Sequence, residues 1–167
     1  PSIVKLSRLL DASVLIVDYP GYGKSEGNPS EPGCIATADA AYAWLVEGKK
    51  YEPRKVLLYG ASLGGGVVAD LASRQDCRAV VLVKTFTSLP DVASELYWWL
   101  PAPKRYLMRN RYDNLTKIAL CRRPVFLAHG TEDRLIPPAH SERLYRAANE
   151  PKRFVPIPGD HNDPLSE

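Results

Sequence analysis

The sequence predicts an α/β domain, in which a mostly parallel sheet of about five strands carries helices on both faces. Two observations predict this class. Short continuous apolar runs, typical of strands buried on both faces, alternate with stretches whose apolar residues recur at helical spacing. The chain has 167 residues, of which 45% are apolar and 25% charged, as in an ordinary globular domain. We therefore predict one domain over residues 1–167.

The predicted elements follow one another along the chain in a regular order. Apolar residues at helical spacing predict helices near 3–10, 35–45, 63–74, 91–118 and 138–149. The short apolar runs predict buried strands at 13–17, 56–59, 79–83, 124–128 and 154–157. The segment 89–119 is longer than a simple crossover requires, and we interpret it as a cap over the sheet edge.

Composition and charge exclude several classes of function. The net charge is 22 − 19 = +3 and the basic residues are scattered, which does not indicate a nucleic-acid binder. No apolar run is long enough to cross a bilayer and no signal peptide is recognisable, so we expect a cytoplasmic protein. Cys34, Cys77 and Cys121 lie far apart without a C-x-x-C spacing, so we predict neither a disulfide nor a metal site.

One motif points to nucleophilic chemistry. Gly60-Ala61-Ser62-Leu63-Gly64 fits G-x-S-x-G and lies between a predicted strand and a predicted helix. Glycines are needed there because a nucleophile on a sharp strand-to-helix turn leaves no room for neighbouring Cβ atoms. We predict Ser62 as nucleophile and the backbone N–H of Leu63 as an oxyanion donor. The alternative is a glycine-rich turn that only packs helix against strand.

A serine hydroxyl needs a base, and the chain has three histidines. His161 lies in a loop after the last predicted strand, where its imidazole could reach Ser62, and we predict it as the base. We interpret His140 as a surface residue of a helix. His129 directly follows a strand, and we expect it to brace a loop. An ordinary surface loop histidine is the alternative reading of His161.

Four carboxylates compete for the role of the acid that orients the base. Asp133 follows the penultimate strand, which favours it, whereas Glu132 fits a solvated loop charge. Asp160 lies beside His161, and Asp163 suits the cap of a following helix. The order Ser62, Asp133, His161 is the one expected for a hydrolase on such a sheet.

A second motif invites a different interpretation. Gly23-Lys24-Ser25 after an apolar run is similar to the end of a phosphate-binding loop, but Asp18 stands where that motif requires glycine. A carboxylate at this point would repel phosphate. Nucleotide binding is therefore disfavoured.

Together these loops resemble the alpha/beta-hydrolase superfamily over nearly the whole chain. Residues 18–27 look like the loop after the family's fourth strand, 60–65 like the nucleophile elbow, 129–133 like the acid loop and 159–163 like the histidine loop. Their wording is most similar to the intracellular branch of acyl-protein thioesterases, related esterases and serine aminopeptidases. The resemblance implies a cofactor-free serine hydrolase that cleaves esters or thioesters with Ser62, Asp133 and His161. A serine aminopeptidase or amidase, or a non-catalytic binding protein on this fold, is the alternative.

Two departures from the family pattern matter. Family members have an earlier strand and a His-Gly loop that donates the second oxyanion N–H, and nothing in this sequence matches it. The resemblance thus implies that three N-terminal strands, roughly 60–90 residues, are missing from the sequence. In addition, Lys84 follows a predicted strand where the family more often has a small residue. Its charge could affect the pocket or face solvent.

The segment 89–119 occupies the position of the family's cap. Trp98 and Trp99 could line an acyl pocket or pack the cap on the core. The cations of the cap could meet anionic lipid at a membrane surface or an acidic substrate group, and solvated charges are the reading we favour; they are Lys104, Arg105, Arg109 and Arg111.

Overall fold

A four-stranded parallel sheet forms the centre of the molecule. The computed structural model describes residues 3–97, 99 and 108–164. Within these residues the sheet consists of β1 (Leu57–Ala61), β2 (Ala79–Val83), β3 (Val125–Gly130) and β4 (Lys152–Ile157), in that spatial order. Every neighbouring pair is parallel, so the carboxyl ends of all four strands lie at one edge. The predicted α/β class is confirmed.

Six α-helices accompany the sheet in the described part of the chain. They are α1 (Ile3–Leu10), α2 (Glu31–Ala43), α3 (Leu63–Arg74), α4 (Leu89–Leu96), α5 (Asn114–Leu120) and α6 (Ala139–Ala147). A π-helical turn (Trp44–Gly48) extends α2, and a short 3₁₀ turn (Pro53–Lys55) leads into β1. The side chains of Ser30, Ser88 and Asp113 accept hydrogen bonds from first-turn N–H groups, which fixes where α2, α4 and α5 begin.

The main core lies between the sheet and a layer of helices. Alternate strand residues point to this layer, as the period of a strand requires. Helices α2, α3, α5 and α6 supply the other side, and each packs on the next. The buried side chains shared by strands and helices include Leu58, Val80, Leu82, Leu127, Val68, Leu71, Ile118 and Leu144. This packing holds the strand ends, and the loops that follow them, in fixed relative positions.

The predicted strand at 13–17 is wrong. These residues have no regular secondary structure and pair with no strand of the described chain, and Ile16 is 57% exposed. An apolar run becomes a strand only when a neighbouring strand supplies hydrogen-bond partners, and β1 has its pairing partner on the other side, in β2. The predicted helix at 3–10 does form, as α1, with no buried residue.

The segment 89–119 begins with α4 and ends within α5. Within the helix-compatible stretch 91–118, the described residues are helical up to Leu96, where α4 ends, and again from Asn114, where α5 begins. Much of what lies between them falls outside the described residues, so the cap remains a prediction. No described helix has both the length and the apolar character needed to span a membrane.

Candidate functional site

Ser62 lies on a strained turn between β1 and α3. Its φ of 50° and ψ of −121° are angles that residues with side chains rarely adopt. The backbone is held at both ends, because Ser62 N donates to Val83 O at 2.9 Å and Thr85 Oγ1 donates to Ser62 O at 2.8 Å. Gly60 abuts the Gly64 carbonyl, so this approach of strand and helix has no room for a Cβ. The predicted elbow is confirmed as a backbone feature.

The structure brings Ser62, His161 and Asp133 into one chain of hydrogen bonds. His161 Nε2 lies 3.1 Å from Ser62 Oγ, and His161 Nδ1 lies 2.7 Å from Asp133 Oδ2. The three residues follow β1, β4 and β3, so they come from separate strands at the same edge of the sheet. The side chain of His161 is 10% exposed and Ser62 is half-buried, so neither residue is closed off from solvent.

Asp133 is buried and fully hydrogen-bonded. Its Oδ1 accepts hydrogen bonds from Leu135 N at 3.1 Å and Ile136 N at 2.8 Å. Its Oδ2 faces His161 Nδ1 and also lies 3.2 Å from His129 Nε2. With donors facing both oxygens, this carboxylate is fixed in orientation.

The partners of His161 define its tautomer. The carboxylate of Asp133 can only accept, so we assign the imidazole proton to Nδ1. Nε2 then has a free lone pair that accepts a hydrogen bond from the Ser62 hydroxyl. This is the arrangement in which an imidazole can take a proton from serine.

His129 braces the acid loop, as the sequence predicts. It is completely buried, its Nε2 lies 2.7 Å from Ile136 O, and its Nδ1 lies 2.6 Å from Ser141 Oγ. Burial lowers the pKa of His129, so the ring is neutral. Nε2 donates to the carbonyl and to Asp133, while Nδ1 accepts from the Ser141 hydroxyl. His129 thereby stabilises the Asp133 carboxylate, and none of these His129 contacts is with Ser62.

The other three acidic candidates have different tasks. Among them and Asp133, only Asp133 contacts the His161 ring. Asp160 Oδ1 accepts from Arg134 N and His161 N, and these two hydrogen bonds hold the pKa of Asp160 below its usual value. Asp163 Oδ2 accepts from Asp160 N at 2.7 Å and so caps a turn of the loop, not a following helix in the described chain. Glu132 is exposed.

The prediction that His140 is a surface residue is wrong. Its side chain is 0% exposed, although it belongs to α6, a helix with a polar outer face. The ring lies on the same buried face of α6 as Leu144, one helical turn further on, and Glu95 of α4 lies 3.1 Å from His140 Nε2. Thr87 N and Oγ1 both contact His140 Nδ1.

Residues of the loop after residue 17 form hydrogen bonds with one another, which argues against a phosphate site. Asp18 Oδ2 accepts a hydrogen bond from Lys24 N at 3.1 Å, and Ser25 Oγ donates to Asp18 O at 3.0 Å. Gly23 packs against the Asp18 carboxylate. The backbone donor that a phosphate loop would offer is already used by a carboxylate of the same loop.

The remaining predicted site residues are Leu63, Trp98 and Trp99. Leu63 is the first residue of α3, so its N–H has no acceptor within the helix and lies at the positive end of the helix dipole. Trp98 lies outside the described residues. Trp99 is 64% exposed, which does not agree with a tryptophan that packs the cap on the core.

Two residues beside the site had little or no signal in the sequence. Lys84 is buried, and its Nζ donates to carbonyls of the loop that carries His161. Thr85, also buried, holds the Ser62 carbonyl. A charged residue directly after a buried strand was the one visible sign for Lys84, and nothing in the local pattern indicated Thr85.

A parallel sheet with a G-x-S-x-G turn between a strand and a helix is typical of one class of protein. The chain belongs to the alpha/beta hydrolase family, whose model matches residues 2–116. An uncharacterized protein of Mycobacterium tuberculosis is 43% identical over 156 residues, which cover 93% of this chain and 55% of that protein. The uncharacterized protein YfhR of Escherichia coli is 36% identical with the same coverage. The chain thus spans about half the length of these curated relatives.

Solved structures share the fold at low sequence identity. The monoacylglycerol lipase of Paleococcus ferrophilus aligns with a TM-score of 0.69 and 23% identity, covering 96% of this chain and 79% of that one. A puromycin-hydrolyzing peptidase of Mycobacterium tuberculosis aligns with a TM-score of 0.62 and 23% identity, covering 78% of this chain and 22% of that one.

Proposed function

We propose that the protein is a serine hydrolase that cleaves carboxylic esters or thioesters through an acyl-enzyme on Ser62. The observation that supports this most strongly is the continuous hydrogen-bond chain from Ser62 Oγ through both His161 nitrogens to Asp133 Oδ2. The strained backbone of Ser62 adds support, because such strain at a loop between strand and helix is common at functional sites.

Each residue has one task in the reaction. His161 Nε2 takes the Ser62 proton while Oγ attacks the carbonyl carbon of the substrate. The Leu63 N–H stabilises the oxyanion, and Asp133 stabilises the imidazolium. When the intermediate collapses, the bond to the leaving group breaks and that group receives the proton from His161. Water then attacks the acyl-serine, with His161 again as base, and releases the carboxylic acid.

The loops around the three residues resemble those of thioesterases and esterases, so esters and thioesters come first. Amides of an N-terminal amino acid are a second candidate, because the same three groups serve peptide cleavage and a solved peptidase shares the fold. p-Nitrophenyl acyl esters and aminoacyl-nitroanilides distinguish them. Faster turnover of the esters supports the first candidate, and turnover of nitroanilides alone supports the second.

The decisive experiment is labelling with a fluorophosphonate, which reacts with an activated serine. In the full-length protein as its own gene encodes it, we expect labelling of the wild type and none of Ser62→Ala. Ser73→Ala is the matched control, since Ser73 lies in α3, the helix that follows Ser62, and its hydroxyl donates to Asp70 O. Equal labelling of wild type and Ser62→Ala would show that Ser62 is not the nucleophile. A folded wild type without any labelling would favour a binding protein on a hydrolase fold.

A further inference from the structure

Two consecutive residues at the end of β2 contact both halves of the candidate site. The side chain of Lys84 reaches the loop after β4, where Nζ donates to Asp160 O at 2.6 Å, His161 O at 3.2 Å and Asp163 O at 2.7 Å. The side chain of Thr85 points the other way and donates to Ser62 O at 2.8 Å. One short stretch of backbone therefore links the loop of the imidazole to the loop of the serine.

Lys84 is an unusual lysine because it is buried without a carboxylate. It is 5% exposed, and among the described residues it forms no ion pair. An ammonium group has three N–H donors, and here each has a carbonyl acceptor within one loop. Burying a charge costs free energy unless hydrogen bonds replace the lost water. Here the three carbonyl oxygens of the loop accept the hydrogen bonds that water would otherwise accept from the ammonium group.

The backbone at this point is also constrained. Lys84 has a φ of 48°, in the left-handed region, and its N–H donates to Ala128 O at 2.8 Å. This conformation turns consecutive side chains toward different loops. Gly65 of α3 packs directly against the Thr85 side chain, so the hydroxyl has little room to move away from the Ser62 carbonyl.

We propose that Lys84 and Thr85 are positioning residues that set the distance between Ser62 Oγ and His161 Nε2. This inference rests on the proposed hydrolase function of the same site. Neither residue takes part in proton transfer. The Asp133 contact orients the imidazole ring within its loop, and Lys84 together with Thr85 sets where that loop stands relative to the serine.

The expected effect is on chemistry more than on substrate binding. A displacement of about 1 Å between reacting groups can reduce a rate about 100-fold. Lys84→Met keeps the length of the side chain and removes its donors, so we expect kcat for a p-nitrophenyl ester and the rate of fluorophosphonate labelling to fall about 10- to 100-fold, with KM little changed. Lys84→Gln keeps two donors, so we expect kcat and the labelling rate to fall less in this variant. Thr85→Val keeps the shape and loses only the hydroxyl, and we expect about a 10-fold loss.

The test compares Lys84→Met and Thr85→Val with the controls Lys152→Met and Thr37→Val in the full-length protein. Lys152 Nζ donates to Ala148 O, and Thr37 Oγ1 donates to Gly33 O, so the controls lose the same kinds of hydrogen bond away from Ser62 and His161. A purely structural role would lower the melting temperature of all four alike and leave kcat per folded molecule unchanged. A positioning role lowers kcat in Lys84→Met and Thr85→Val and leaves it unchanged in the two controls. In a double-mutant cycle, Lys84→Met and Thr85→Val should be non-additive, because they act on one distance.

Each outcome has a definite meaning. Wild-type rates of labelling in folded Lys84→Met and Thr85→Val would overturn the inference, and so would a rise in KM with kcat unchanged. If no Lys84 variant folds and Thr85→Val reacts at the wild-type rate, the pair is a folding determinant and the inference is overturned as well. Failure of the hydrolase proposal looks different, since Ser62→Ala would then label like the wild type or the wild type would not label.

Discussion

The molecule contains two clusters in which an imidazole lies between a hydroxyl and a carboxylate. In the first cluster, His161 contacts Ser62 Oγ at 3.1 Å and Asp133 Oδ2 at 2.7 Å. In the second, His140 contacts Thr87 Oγ1 at 2.9 Å and has Glu95 Oε2 at 3.1 Å. The two clusters have the same types of groups at similar distances, yet only the first is suited to chemistry.

Burial is one difference between the clusters. His140 is 0% exposed and linked to α4, whereas the His161 side chain is 10% exposed at the edge of the sheet where loops meet. A ring with no exposed surface offers a substrate no approach. The second cluster therefore anchors one helix to another.

The direction of the hydrogen bonds is the other difference. Thr87 Oγ1 lies 2.6 Å from Asp91 Oδ2, a carboxylate that can only accept, so the hydroxyl proton points to Asp91 and not to the imidazole. His140 Nδ1 accepts from the backbone N–H of Thr87, and Nε2 lies near Glu95 without forming a hydrogen bond. No carboxylate of the described residues competes for the Ser62 hydroxyl, and the strained backbone of Ser62 presents it to His161 Nε2. Residue types alone do not make a site, because accessibility and the direction of each proton decide what the groups can do.

The sharpest way to test this contrast is to remove each imidazole. We expect His161→Ala to lower kcat by about 10⁵- to 10⁶-fold, since the serine then has no base. His140→Ala should leave kcat per folded molecule within a few-fold of the wild type. Ester hydrolysis, normalised to the folded fraction from circular dichroism, measures both. Equal losses of kcat in the two variants would contradict the contrast.

Substitution of the carboxylate in each cluster should give the next largest contrast in kcat. In Asp133→Asn the amide oxygen can still accept from Leu135 N and Ile136 N, so we expect the fold to be kept. The amide NH₂ then faces His161 Nδ1 and favours the wrong tautomer, which lowers kcat by about 10⁴-fold. The matched change Glu95→Gln in the second cluster should leave kcat unchanged. Hydrolysis of a p-nitrophenyl ester gives the rates, and a loss under tenfold for Asp133→Asn would show that another group orients the base.

For the second cluster the effect should appear in stability. Thr87→Val removes a buried hydroxyl that contacts both Asp91 and His140, so we expect unfolding free energy to fall by about 1–3 kcal/mol. The rate of fluorophosphonate labelling should not change. Urea unfolding, followed by tryptophan fluorescence, measures the unfolding free energy. Gel-based detection of the fluorophosphonate label measures the labelling rate. An unchanged urea midpoint, or slower labelling of the folded variant, would count against an anchoring role.

The smallest expected effect is on the pH dependence of stability. Burial lowers the pKa of His140 in the folded state, although Glu95 beside it and Asp91 act in the opposite direction and Arg143 adds to the lowering. The unfolded chain then binds more protons below about pH 6.5, so stability is lost as the pH falls through that region. Burial lowers the pKa of His129 in the same direction.

His140→Gln removes one of these two contributions. We expect the decline in unfolding free energy between pH 7.5 and pH 5.5 to be about 1 kcal/mol smaller in the variant. Urea unfolding at both pH values checks this. A steeper decline in the variant than in the wild type would mean that His140 is charged in the folded protein.

The sequence by itself determined the features that depend on local sterics and periodicity. The helix predicted at 63–74 is α3, Leu63–Arg74, and the strand predicted at 79–83 is β2, because their apolar spacing and flanking residues favour one structure. The turn at Ser62 was predictable from local sterics too, since the backbone of Gly64 lies too close to Gly60 for a Cβ and a glycine permits that approach.

Only the tertiary structure decided which distant groups meet. The hydrogen bonds that define the site join residues 28 and 99 positions apart, and in the sequence only the position after a strand favoured Asp133 over the three other carboxylates. The burial of His140 depends on which face of α6 turns inward, and the failure of 13–17 to form a strand depends on the lack of a pairing partner in the described chain. Lys84 became interpretable only when its three acceptors were known. Local sterics act between neighbours in the chain, whereas burial and hydrogen-bond partners depend on residues that only folding brings together.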